Sequence, residues 1–225
     1  MNSLCRRLND LGGVAVAPSV LSADFTCLEK EIRGVEEAGA GFLHIDVMDG
    51  NFVKNITMGP MIVKAIAKLS TIPLITHLMI SDPLQYAGAF VEAGSAVVSF
   101  HWEAMKEGHE KVIERLHDLG SMAGLAINPD TPVSDVAHLL GSIELLLCMT
   151  VFPGFGGQAF IPDVLTKIEE AASLSGEHGY VIEVDGGIKA DNAASVRQAG
   201  GQVLVAGTAV FKSGDYRQSI AAIRG

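Results

Sequence analysis

The sequence predicts a single α/β domain, a parallel (β/α)8 TIM barrel, on three observations. Eight short runs rich in Val, Ile and Leu recur through the 225 residues, alternating with segments whose apolar residues fall at helical spacing. Most of these runs stay apolar, as expected of strands buried on both faces of a parallel sheet. No linker or low-complexity stretch divides them, so eight units in a chain of this length match one closed barrel spanning 1–225. A doubly wound open sheet is the alternative, but no GxGxxG follows the first run to support it.

Residues 1–13 precede the first run as an N-terminal extension. They carry Arg6 and Arg7, but no apolar stretch follows, so they do not read as a secretory signal. The first strand is expected at 14–21, and Leu28, Ile32 and Val35 mark the helix after it, closed by Glu37-Ala38-Gly39. The second strand, 42–49, leads to a helix marked by Ile62, Ile66 and Leu69. The third, 74–80, leads through Asp82-Pro83 to a helix holding Tyr86, Phe90 and Val91 and ending at Gly94. The fourth, 96–102, precedes Val112, Ile113 and Leu116, with Gly120 at the helix end. The fifth, 123–129, precedes a helix at 133–140 that starts after Thr131-Pro132. The sixth, 144–151, is followed by a helix at 163–178 opened by Ile161-Pro162. The seventh, 181–188, precedes a helix at 190–199 and Gly200. The eighth, 203–211, precedes a last helix at 215–223.

With 48% hydrophobic and 19% charged residues, the chain can bury a large core and gives no case for disorder. Its formal net charge of −10, with no Lys/Arg run, argues against nucleic-acid or anionic-membrane partners. An anionic small molecule would have to be held by backbone amides. Cys5, Cys27 and Cys148 are odd in number and widely spaced, which fits a reducing compartment. Cys148, in an apolar run, is expected to pack as a small hydrophobe. No stretch of about 18 apolar residues suggests a membrane span, so the cytoplasm is the expected setting.

In a barrel of this kind the active site collects where the strands end. His44, Asp46 and Met48 share one parity and therefore one face of the second strand. An inward histidine and carboxylate cost much desolvation, which a buried His–Asp hydrogen bond or a metal ion would offset. The third strand brings His77 and the seventh brings Asp185. Two imidazoles and two carboxylates at one barrel mouth form a plausible set for Zn²⁺, Fe²⁺, Mn²⁺ or Co²⁺. His109, His117, His138 and His178 fall in helical stretches and are expected at the surface.

Gly156-Gly157, Gly186-Gly187 and Gly207-Thr208 follow strands six, seven and eight. One glycine pair would be an ordinary turn, but three in neighbouring loops favour a phosphate approached closely by backbone. Met48, Met79 and Met149 lie at or near strand ends. Each alone reads as core packing; together they could floor the pocket and keep water from a reactive carbanion.

At this point the sequence resembles the ribulose-phosphate 3-epimerase family. The matches run from Pro18-Ser19-Val20-Leu21-Ser22-Ala23-Asp24-Phe25 to Ala206-Gly207-Thr208-Ala209-Val210-Phe211. They include His44-Ile45-Asp46-Val47-Met48-Asp49-Gly50, Asn55-Ile56-Thr57, His77-Leu78-Met79, Met149-Thr150-Val151, Pro153-Gly154-Phe155-Gly156-Gly157-Gln158 and Val184-Asp185-Gly186-Gly187-Ile188. The resemblance implies a barrel of the ribulose-phosphate-binding type, with one divalent metal on His44, Asp46, His77 and Asp185. It implies that Asp46 and Asp185 are the acid/base pair interconverting D-ribulose 5-phosphate and D-xylulose 5-phosphate. It further implies substrate contacts from Ser19, His77, Gly154, Phe155, Gly156, Gly157, Asp185, Gly186, Gly187, Gly207 and Thr208, and a homo-oligomer.

The sequence departs from the usual family pattern at Lys54, Ile75, Phe152 and Thr208, where proline, an acidic residue, a polar residue and serine are more common. None removes a ligand or a catalytic carboxylate. Three rivals are an epimerase of D-allulose 6-phosphate or another ketose phosphate, a phosphate-binding barrel decarboxylase, and a non-catalytic sugar-phosphate-binding barrel. The decarboxylase pattern D-x-K-x-x-D needs a lysine that His44-Ile45-Asp46-Val47-Met48-Asp49 lacks.

Overall fold

β-branched and Leu residues suit a pleated ribbon covered on both faces, and each apolar run contributes a strand of that kind. A computed structural model describes residues 3–225. Its strands are β1 Ala15–Pro18, β2 Leu43–Met48, β3 Leu74–Met79, β4 Val97–His101, β5 Met122–Ile127, β6 Leu145–Met149, β7 Val181–Asp185 and β8 Val203–Ala206. Helices α1 Ser3–Asp10, α2 Leu28–Glu37, α3 Pro60–Leu69, α4 Pro83–Glu92 and α5 His109–Asp118 belong to the first half. They are followed by α6 Val133–Val136, α7 Leu165–His178, α8 Ala193–Gln198, α9 Thr208–Phe211 and α10 Tyr216–Arg224.

Every ladder is parallel, in the order β1-β8-β7-β6-β5-β4-β3-β2. The ring is nearly closed between β1 and β2 by a Ser19–His44 bridge and by the Gly41 N–H donating to Val16 O at 2.9 Å. This is a single (β/α)8 barrel.

Alternation along each strand separates two cores. Leu43, Ile45 and Val47 join the layer between barrel and helices, with Ile32 and Val35 of α2 in the same cluster. Ile75, Val97, Leu147, Val181 and Val205 fill the interior. Leu4 and Leu8 of α1 join that interior cluster with Ala15, Val181 and Val203, the first residues of β1, β7 and β8. The helix therefore plugs the end of the barrel where the strands begin, and Arg7 Nε ties it down by donating to Gly41 O at 2.7 Å.

Some expected boundaries shift. The eighth strand stops at Ala206, because Gly207 adopts φ −90° and ψ −89° and turns the chain into α9. Val210 and Phe211 then pack in the outer layer from a helix. The helix expected at 133–140 is one α turn followed by a 3-10 segment, Ala137–Ser142. His109 is not at the surface: its ring stacks on Trp102 at 3.9 Å, and its Nε2 lies 2.9 Å from Trp102 O.

Gly200 illustrates the glycine-ended helices. Its φ is +108°, and a Cβ there would lie 2.4 Å from that of Ala172. Cys148 is buried, as expected, and burial pushes its thiol up to about 12. Among the described residues, no helix is long and apolar enough to cross a membrane.

Candidate active site

The strand pleat aims His44, Asp46 and Met48 into the barrel. The β2–β3 register sets His77 beside Asp46, and the β6–β7 register sets Met149 beside Asp185. His44 Nε2 and His77 Nδ1 each lie 3.2 Å from Asp46 Oδ1. Asp185 Oδ2 stands 3.8 Å from His44 Nε2 and 4.0 Å from His77 Nδ1. One ligating atom from each of the four residues lies within 4.8 Å of the others.

This set fits a divalent cation on geometry and charge. Ligands about 2.1 Å from a tetrahedral ion lie about 3.4 Å apart, within the range spanned by these donors. The charge balance points the same way, because Glu183 adds a third carboxylate, fully buried, with Oε1 3.0 Å from His44 Nδ1. Its Oε2 is buried and has no hydrogen-bond partner among the described residues.

The protein's own groups offset this negative charge with protons. Burial opposes a charge on His44, but Asp46 and Glu183 outweigh it and push its pKa well above the usual value. Burial and the charge of Asp46 push Asp185 up to about 7. Burial also raises Asp46, but the charge and hydrogen bond of His44 win and hold it far below the carboxylate range. Burial pushes His77 down to about 4. One divalent cation could supply the positive charge that the two protons otherwise provide. The Glu183–His44 contact has the form of the carboxylate–histidine pair that orients a metal ligand.

Above the cluster opens a cavity of about 960 Å³. Ser19 Oγ donates to Asp46 Oδ2 at 2.5 Å and lines this space. Met48, Met79 and Met149 also line it, each almost fully buried. Gly154, Phe155, Gly156 and Gly157 form part of the wall, braced by Gln158 Nε2 donating to Phe152 O and Phe155 O. Phe152 and Phe155 are themselves exposed.

Gly187, Gly207 and Thr208 line the cavity, whereas Gly186 does not. Gly186 instead accepts a hydrogen bond from Thr150 Oγ1 at 2.6 Å. A Cβ on Gly187, whose φ is +65°, would lie 2.7 Å from Gln158 O. Only glycine keeps the β7 loop this close to the β6 loop.

Sequence reasoning assigned no role to Glu183, His101 or Glu103. Parity could have found Glu183, two residues before Asp185 on the same strand face. His101-x-Glu103 at the end of β4 resembles the spacing of His44-x-Asp46.

Residues 15–211 match the ribulose-phosphate 3 epimerase family. Ribulose-phosphate 3-epimerase of Bacillus subtilis is 47% identical over 215 residues, covering 94% of this chain and 99% of that protein. The chloroplastic ribulose-5-phosphate-3-epimerase of Arabidopsis thaliana is 42% identical over 214 residues, covering 94% of this chain and 76% of that protein. A tryptophan synthase α-subunit from Pyrococcus furiosus superposes with a TM-score of 0.68 at 11% identity, covering 93% and 97% of the two chains, a likeness of fold alone.

Proposed function

The chain belongs to the ribulose-phosphate 3-epimerase family, and on that premise we propose that it interconverts D-ribulose 5-phosphate and D-xylulose 5-phosphate by proton transfer at C3. Inversion beside a ketone needs a proton removed from one face of the carbon and another delivered to the opposite face. Asp46 and Asp185 suit these roles. They project from β2 and β7, their ligating oxygens lie within 4.8 Å, and their environments push their pKa values apart.

In one direction ionised Asp46 takes the C3 proton and Asp185 returns one from the other face; in the reverse direction the roles exchange. Ser19 holds Asp46 Oδ2 and so restrains the carboxylate plane. Met48, Met79 and Met149 present an apolar surface that limits access of water to the enediolate carbon. A divalent cation held by His44, Asp46, His77 and Asp185 would supply Lewis-acid stabilisation of the developing oxyanion. The glycine-lined wall at Gly187, Gly207 and Thr208 leaves room for the phosphate.

The observation that carries the reading is the pair of carboxylates from β2 and β7 whose ligating oxygens lie within 4.8 Å of each other beside two buried imidazoles. The test is conversion of ribulose 5-phosphate, with allulose 6-phosphate alongside, by protein as prepared, after chelation and after return of Zn²⁺, Mn²⁺, Fe²⁺ or Co²⁺. Pentose turnover lost on chelation and restored by one of these ions is expected. Preference for the hexose would move the substrate, and turnover indifferent to chelation would remove the metal.

A further inference from the structure

A chain of hydrogen bonds leaves the candidate metal cluster on the side of His77 and ends outside the ligand set. His77 Nε2 lies 2.8 Å from His101 Nε2, and His101 Nδ1 lies 3.0 Å from Glu103 Oε2. Both imidazoles are fully buried, and Phe52 covers His101 with ring centroids 5.0 Å apart. The other oxygen, Glu103 Oε1, accepts from the Asn128 N–H at 2.8 Å and from the Thr131 hydroxyl. Burial opposes ionisation of Glu103, yet the hydrogen bonds from His101, Thr131 and Asn128 outweigh it and hold the carboxyl below its usual range.

The direction of this chain follows from its last member. A carboxylate only accepts, so His101 Nδ1 must carry a hydrogen. The Nε2 of a neutral His101 is then a lone pair and accepts from a proton on His77 Nε2. That leaves the Nδ1 lone pair of His77 facing Asp46 Oδ1 at 3.2 Å and Asp185 Oδ2 at 4.0 Å. A divalent cation between these three groups would hold them together as acceptors. A second proton on His101 would instead place a buried cation one ring away from the ligand set.

We propose that Glu103 and His101 are positioning residues that fix His77 in the tautomer with its proton on Nε2, so that Nδ1 presents a lone pair to the metal. The proposal rests on the reading of His44, Asp46, His77 and Asp185 as a metal site. Glu103→Gln should reverse the chain rather than merely weaken it. The Asn128 N–H and Thr131 hydroxyl sit on the Oε1 side, so the glutamine carbonyl turns to them and its NH₂ faces His101 Nδ1. His101 then carries its proton on Nε2, and His77 carries its own on Nδ1, where the metal would bind. Thr131→Val removes a contact to the same carboxylate without reversing anything.

The experiment combines Zn²⁺ competition titrations on the parent, Glu103→Gln and Thr131→Val with ¹⁵N spectra of the histidine rings in the Zn²⁺-loaded parent. Spectra with protons on His77 Nε2 and His101 Nδ1 are expected. Zn²⁺ affinity should fall about tenfold or more in Glu103→Gln and stay within about twofold in Thr131→Val. Unchanged affinity in Glu103→Gln, or an equal loss in Thr131→Val, overturns the proposal. So does a proton found on His101 Nε2 in the parent, which decides the matter even if Glu103→Gln does not fold. A parent that takes up no Zn²⁺ overturns the metal reading itself, a result distinct from uptake with the wrong tautomer.

Discussion

Replacing Asp185 with asparagine should stabilise the protein while disabling it. Asp185 is only 19% exposed in its side chain, and burial, with the charge of Asp46, raises its carboxyl from 3.8 to about 7. A raised folded-state pKa means the folded chain keeps the proton where the unfolded chain has released it. The stabilising effect is complete below the unfolded value and is lost as pH rises through about 7. At about 1.4 kcal/mol per pKa unit, the roughly three-unit rise makes the ionised carboxylate cost on the order of 4 kcal/mol at alkaline pH.

Asparagine carries no charge at any of these pH values and escapes that cost. Urea unfolding of chelated parent and Asp185→Asn between about pH 4.5 and 8.5 should therefore show a gap that opens with pH. The gap should level off near 4 kcal/mol in favour of the variant. Turnover of ribulose 5-phosphate by the metal-loaded variant should fall by at least about 10²-fold. A variant less stable than the parent at the alkaline end would refute the electrostatic account. Retained turnover would refute the role assigned to the carboxylate.

Other perturbations test separate parts of the molecule. Gly207→Ala places a Cβ 2.5 Å from Ser22 Oγ on the cavity wall, so KM should rise about tenfold in steady-state assays, a cost of about 1.4 kcal/mol in binding, with kcat less affected. Leu8→Ala empties part of the α1 plug, and urea unfolding should show a loss of about 2–5 kcal/mol with kcat unchanged. Glu36 is also opposed by burial, but hydrogen bonds from Ser70 and Thr71 hold its carboxyl below the usual value. Its contribution is thus present above the ordinary carboxylate range and lost as pH falls. Glu36→Gln should flatten the acid limb of a Tm-against-pH curve.

The barrel was legible because its strands are short, apolar and punctuated. The six residues of β2 and of β3 are all buried, and periodicity marks such runs without knowledge of their partners. The end of β8 misled for the same reason: Thr208-Ala209-Val210-Phe211 is an apolar run that a short buried helix uses equally well. Of the candidate site, His44, Asp46, His77 and Asp185 could be named because each stands out chemically at a strand end, and the fold brings their ligating atoms together. The residues behind them were harder to find. Glu103 meets His101 two residues away, but its other partners, Asn128 and Thr131, come from the segment after β5, and Glu183 meets His44 across the barrel, at separations no local pattern encodes. His109 looked like a helix-surface residue until Trp102, seven positions earlier, folded against it.

The proposed chemistry is inversion of one carbon by two carboxylates that remove and return a proton. Its most direct test is epimerisation of ribulose 5-phosphate in D₂O by the metal-loaded protein, followed by NMR at C3. Deuterium is expected at C3 of the xylulose 5-phosphate formed, with product formation and label entry both lost in Asp46→Asn and Asp185→Asn. Xylulose 5-phosphate formed with C3 still fully protonated, or formed at the parent's rate by either variant, would contradict it.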